Sequence, residues 1–172
     1  AINQARMAGL SLLKETVEQH AKEGNKYDAV VSFQVLEHVP DPADFLDGCV
    51  RCLKDRGVLV ISLPANDGFA GNATNHVLDL PPHHVTHWSE NTLRYIASQY
   101  DLELIAMEYE PVAGYHHHFA SKTVWESRIR RRLGVGNKLL DTSLLSRFIS
   151  KFASILGRLL PVNELLKGHT VV

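Results

Sequence analysis

The sequence predicts an α/β fold on an open, mostly parallel sheet, and three observations predict it. Two short runs rich in β-branched residues, 27–33 (YDAVVSF) and 58–63 (VLVISL), read as strands covered on both faces. Between them Phe45, Leu46, Cys49, Val50 and Leu53 recur at helical spacing. Strand, helix, strand with short connections is a βαβ crossover, which requires parallel strands and right-handed winding.

The elements follow in order. Residues 2–23 read as a helix, with Ala5, Ala8, Leu12, Leu13, Val17 and His20 near one face, a possible break at Gly9 and a stop at Gly24-Asn25. After the first strand, Asp41 is placed to cap a helix that opens on Pro42 and runs to about Lys54. Asp55-Arg56-Gly57 is the expected turn into the second strand, which Pro64 halts. The polar stretch 65–87, rich in Gly, Asn, Pro and His, is long enough to read as a binding loop or lid. Ser89 caps a further helix carrying Leu93, Ile96, Ala97 and Tyr100, and 102–109 (LELIAMEY) alternates like a strand near the sheet edge. A His-bearing loop, a basic amphipathic helical region (127–167) and the start of a final strand (168–172) complete the chain after a core of 1–126.

Composition bounds the function. A chain of 172 residues, 45% hydrophobic and 22% charged, can bury one core. No run of eighteen apolar residues and no apolar leader is present, so a cytoplasmic location is the default. Cys49 and Cys52 form a C-x-x-C pair inside the helical pattern, and with no second pair they read as one core and one flank thiol, not as a redox or zinc site. The formal charge is −1, yet from Arg128 to Leu160 eight Lys or Arg stand against one acid, Asp141.

The run from Tyr27 to Val39 ends in Val35-Leu36-Glu37-His38, and this strand with its V-L-E-H end resembles the fourth-strand motif of class I S-adenosylmethionine-dependent methyltransferases. Residues 45–53 and 57–64 are similar to that family's next helix and fifth strand, with Asp55-Arg56-Gly57 in place of the usual P-G-G turn. Pro81-Pro82-His83-His84-Val85-Thr86-His87-Trp88 resembles a P-P-H-H segment of an uncharacterised bacterial branch, some of it linked to cell-surface glycan genes. The resemblance implies a Rossmann-like class I sheet, C-terminal part only, with an added helical region. Its cofactor would be S-adenosyl-L-methionine, and the methyl acceptor an O or N atom of a small molecule, sugar or glycan.

In an open parallel sheet, ligands lie outside the carboxyl ends of the strands, so the residues after Phe33 and after Leu63 should line one cleft. By resemblance Phe33 and Gln34 lie against the methionine portion of the cofactor and Glu37 and His38 face the acceptor; by their place at the strand ends Val35 joins the cofactor side and Pro64 and Asn66 the acceptor side. His38 is the base candidate, since a neutral imidazole accepts a proton near pH 7; its structural alternative is a cap on the following turn. His83 and His84 close over the acceptor or simply pack the loop on the strand ends. In ubiquinone-pathway O-methyltransferases and small-RNA methyltransferases a similar E-x-x-E-H motif holds a divalent ion. Here Gln34 replaces the first Glu, which lowers the attraction for a hard cation, so no metal is expected. His116-His117-His118 reads as a solvated loop or a weak adventitious metal site.

The stripe Leu139, Leu140, Leu144, Leu145, Phe148, Ile149, Phe152, Ile155, Leu156, Leu159, Leu160, flanked by Arg147, Lys151 and Arg158, could rest on anionic lipid through 138–160. Covering the chain's own core or pairing with a second copy is the commoner use. A nucleic-acid partner is not expected, because the basic residues are not interleaved with aromatics. The glycine-rich cofactor turn is absent from the 172 residues, and the sequence therefore reads as a piece truncated at both ends, weak alone in binding the cofactor. Two readings stand: part of an active methyltransferase, or a non-catalytic methyltransferase-like assembly partner.

Overall fold

The computed structural model describes residues 2–162 and 170–171. Its helices are α1 (Ile2–Met7), α2 (Val17–Ala21), α3 (Pro42–Arg51), α4 (Glu90–Gln99), α5 (His117–Arg132) and α6 (Leu144–Leu159), and its strands β1 (Tyr27–Phe33), β2 (Leu53–Pro64) and β3 (Thr170–Val171). The sheet order is β1-β2-β3. Tyr27 N–H donates to the Cys52 carbonyl and, further along, Gln34 N–H donates to that of Ser62, so the first pair advances in one direction, parallel. β3 runs antiparallel to β2, with Leu63 opposite Val171 and Pro64 opposite Thr170. The segments 163–169 and 172, where parts of the expected helical region and final strand fall, lie outside the described residues.

The chain divides into two compact units. One comprises 1–31 and 41–59. In it the expected long first helix is two short ones. Gly9, at φ +75°, takes the left-handed conformation that ends α1, and Thr16 starts α2 with a capping box, its hydroxyl accepting from Gln19 N–H while the Gln19 amide accepts from Thr16 N–H. α2 packs on α3 at Gly48, where a Cβ would stand 3.1 Å from the Glu18 backbone nitrogen. Asp41 caps α3 by accepting from Asp44 N–H at 3.1 Å, with Pro42 in the first turn, as expected. α3 ends three residues early, at Arg51, because Cys52 already serves as its C-cap. Both cysteines are free and buried, so neither is a flank thiol, and burial pushes the Cys49 thiol up to about 11. β2 begins at Leu53, ahead of the expected turn; Asp55-Arg56-Gly57 lies inside the strand, where Arg56 adopts a left-handed φ of 63°.

The other unit comprises 32–40 and 60–172. Its buried apolar residues include Leu36, Leu63, Ala65, Trp88, Ala120, Ile149 and Ala153. A fully buried Leu such as Leu36 or Leu63 contributes about 1.5–3 kcal/mol. Ser89 caps α4 as expected, accepting from Thr92 N–H. Residues 102–108 form no strand: an alternating pattern makes a strand only where a neighbouring edge pairs with it, and among the described residues none runs alongside. His117 and His118 open α5, and the His117 ring donates to the Val112 carbonyl, so the His run is a helix start. α5 and α6 form an antiparallel hairpin. Ser146, Ile149, Ala153 and Gly157 are the buried line of α6, and a Cβ on Gly157 would lie 2.9 Å from the Lys122 nitrogen. The expectation that β1 is covered on both faces is not met among the described residues. Ser32 is its buried residue, while Val31 is 51% and Phe33 61% exposed.

Candidate functional site

The sequence-predicted residues around V-L-E-H gather in the second unit. At the end of β1, Gln34 turns the chain through φ 53° while its N–H donates to the Ser62 carbonyl at 2.7 Å. A short 3-10 turn (Leu36–His38) follows. The loop 83–86 docks on this turn. Val85 and Thr86 N–H both donate to the Glu37 carbonyl, and the Thr86 hydroxyl donates to that of Leu36 while accepting from Trp88 Nε1. Pro81 and Pro82 precede this loop and have no N–H to compete for those acceptors.

Docking brings three imidazoles together. The His38 ring lies 5.1 Å from that of His83 and 4.9 Å from that of His84, and His83 stacks on His84 at 5.0 Å. His38 Nδ1 lies 2.5 Å from the His83 carbonyl. A carbonyl can only accept, so Nδ1 carries a proton, and in the neutral ring Nε2 is the nitrogen with the lone pair. His84 is oriented in the same way: Nδ1 lies 2.8 Å from Asp79 Oδ1, so in the neutral ring Nε2 is the acceptor.

Glu37 sits beside them. It is 1% exposed, neither carboxylate oxygen has a hydrogen-bond partner, and Oε1 is 3.8 Å from His38 Nε2. Glu37, His38 and His84 each offer a ligand atom, all within 4.8 Å of one another. Three lone-pair donors converging where a buried carboxylate lacks a partner fit a small cation, and the Asp79–His84 bond is the carboxylate–histidine support that metal-binding imidazoles carry. The sequence reading, which expected no metal, did not weigh Asp79 or the pairing of Glu37 with His84. The acid five residues before His84, in a loop stiffened by two prolines, was the available signal.

The second strand end is built differently. Asn66 N–H donates to the Trp88 carbonyl, and Ala65 and Trp88 form a parallel bridge. Asn66, His76, Asp79 and His87 line a cavity of about 250 Å³. Asp79 therefore faces both groups: its carboxylate holds His84, and its carbonyl accepts from His87 Nε2 at 2.7 Å. Burial lowers the pKa of His76, the largest of its influences. Phe33 and Val35 are exposed.

A family model described as "Methyltransferase domain" matches residues 3–107. The chain belongs to this methyltransferase family. The match takes in every site residue described so far and stops before α5 and α6. Among curated relatives, the chain is 41% identical over 59 residues to a ubiquinone biosynthesis O-methyltransferase of Klebsiella pneumoniae subsp. pneumoniae, covering 34% of this chain and 24% of that protein. It is 35% identical over 75 residues to the enzyme of that name from Escherichia coli O9:H4, covering 41% and 31%. The aligned part is thus under a third of these relatives' length. A SAM-dependent methyltransferase structure from Archaeoglobus fulgidus superposes with a TM-score of 0.52 at 16% identity, over 95% of this chain and 66% of that one, a likeness in fold. The fold is the Rossmann-like methyltransferase α/β sheet, and family and fold imply S-adenosyl-L-methionine as cofactor.

Proposed function

We propose that this methyltransferase domain serves S-adenosyl-L-methionine-dependent methyl transfer to an O or N atom of a small-molecule, sugar or glycan acceptor in the cytoplasm, with no nucleic-acid partner. Phe33, Gln34 and Val35 border the cofactor's methionine portion; Glu37, Pro64 and Asn66 face the acceptor; His83 and His84 close over it. The observation that carries the reading is the fixed tautomer of His38, whose Nδ1–H is held by the His83 carbonyl. In-line displacement at a sulfonium carbon asks for alignment and a proton sink, and Nε2 of a neutral imidazole is such a sink. Calorimetry of the full-length protein with S-adenosyl-L-methionine, followed by an acceptor screen with labelled donor, tests it. His38→Ala should lower transfer at least tenfold, and an unchanged rate removes His38 as the base. Absence of cofactor binding favours the assembly-partner alternative.

A second reading of the same atoms rests on the orphaned Glu37 carboxylate. Glu37, His38 Nε2 and His84 Nε2 would hold a divalent cation, which, when bound, acidifies a hydroxyl acceptor. Asp79 orients His84 in either case. The two readings differ in what His38 Nε2 holds, a proton or a cation.

Peripheral membrane contact through 138–160 belongs to the proposal as well. The buried line of α6 is made of small residues and Ile149, which leaves Phe148 and Leu159, each 71% exposed, outside with Leu144 and Phe152. Arg147, Lys151 and Arg158 accompany them, with no acid on the helix, so an anionic lipid surface is the complementary partner. No described helix is long and apolar enough to cross a membrane. Phosphatidylglycerol vesicles should co-sediment the protein and phosphatidylcholine vesicles should not. F148E/F152E should abolish the association, and equal pelleting of this variant refutes it.

A further inference from the structure

Beside the post-β2 loop lies an open groove of about 750 Å³, within the size range of small-molecule sites. One wall is the face of α5 that carries Val124, Ser127, Arg128 and Arg131, spaced as one helical stripe. The opposite wall is Asp67–Phe69 with Asn72, and the end is closed by the loop at Gly134, Gly136 and Asn137. Asn137 donates its side-chain amide to Asn72 at 3.2 Å and to Ser127 at 3.1 Å, tying the walls together.

The charges in this region are unequally spent. Arg130, buried between the helices, takes both nearby acids, Glu126 and Asp141, and also bonds the Gly136 carbonyl and the Ser146 hydroxyl. That clamp fixes the loop forming the groove's end. It also leaves Arg128 and Arg131, one turn apart in the groove, without a carboxylate partner among the described residues; Arg128 lies over the Trp125 ring at 5.0 Å. The one acid lining the groove, Asp67, accepts from the Tyr109 hydroxyl and from Glu90 N–H and pairs with neither arginine. Two unpaired guanidiniums on a wall backed by Ser, Thr and Asn side chains suit the several acceptor oxygens of a phosphate.

We propose that this groove binds the phosphate group of a phosphorylated small molecule, through Arg128 and Arg131, and that this molecule is the methyl acceptor. The second clause rests on the methyl-transfer reading, because Asp67 and Gly68 directly continue the predicted acceptor-facing stretch 64–66. The phosphate could be free in solution or carried on a lipid headgroup, and the two sources share the chemistry at the arginines.

The test is binding, measured without donor. Calorimetry of the full-length protein should show saturable binding of glycerol 1-phosphate and none of glycerol. R128Q/R131Q should weaken it at least tenfold, as expected for losing two charge-assisted contacts, while K14Q/K22Q, which removes two exposed lysines outside the groove, should leave it unchanged. If phosphatidylglycerol vesicles bind and glycerol 1-phosphate does not, with the same dependence on Arg128 and Arg131, the lipid headgroup is the source and the groove assignment stands. Equal affinity of R128Q/R131Q and the parent, equal loss in K14Q/K22Q, or no binding of either probe overturns it. Circular dichroism and S-adenosyl-L-methionine titration of each variant establish that it is folded. Phosphate binding that survives while transfer fails would remove the methyl-transfer reading and leave the groove.

Discussion

Replacing Arg130 by Met removes the residue on which the α5–α6 hairpin closes. Its side chain is 1% exposed and bonds Glu126 Oε1 at 3.3 Å and Asp141 Oδ2 at 3.0 Å, besides Ser146 and the Gly136 carbonyl. Met fills similar volume, so the loss comes chiefly from the carboxylates left behind. Asp141 retains its bond from Ser143 N–H, but Glu126, 7% exposed, has no other partner for its charge among the described residues. Leaving the Glu126 carboxylate buried without its cation should cost about 3–5 kcal/mol, the range seen when one member of a buried pair is removed. At about 2–4 °C per kcal/mol for a chain of this size, Tm should drop by roughly 6–20 °C. Urea unfolding followed by circular dichroism measures it. One feature is diagnostic: E126Q/R130M should recover most of the loss, because the buried Glu126 charge is then removed together with its partner. A deficit under about 1 kcal/mol at pH 7, or a double variant no more stable than R130M, would refute the account.

Gly157→Ala places a Cβ 2.9 Å from the Lys122 backbone and should cost about 1–3 kcal/mol by forcing α6 away from α5, read by urea unfolding; a neutral change would mean the helices part freely. Divalent cations should raise Tm through Glu37, His38 and His84, by about 2.7 kcal/mol of stability at a hundredfold excess over Kd, and E37Q or H84A should abolish the shift in a thermal melt; the same shift in both variants would place the ion elsewhere. Because burial lowers the pKa of His76, the unfolded chain takes up its proton first as pH falls below about 6.5. The parent should therefore lose stability relative to His76→Phe between pH 7.5 and 5, and parallel stability–pH curves would exclude His76 as the cause.

The βαβ order, the Asp41 and Ser89 caps and the position of V-L-E-H were readable along the chain, because hydrophobic period, capping side chains and proline act within a few residues. The same local reading overextended the first helix and α3 and produced a strand at 102–109, since propensity names a strand but only a neighbouring edge makes one. At the candidate site, His38, His83, His84 and Glu37 could be picked out singly. Their convergence, the tautomers set by the His83 carbonyl and Asp79, and the orphaned carboxylate depend on a loop some forty-five residues onward folding back on the turn after β1. The basic excess of 128–160 was equally plain in the composition. Which arginine is consumed by acids and which two remain unpaired in a groove was decided by the packing of α5 on α6, because a charge's partner is set by distance in space.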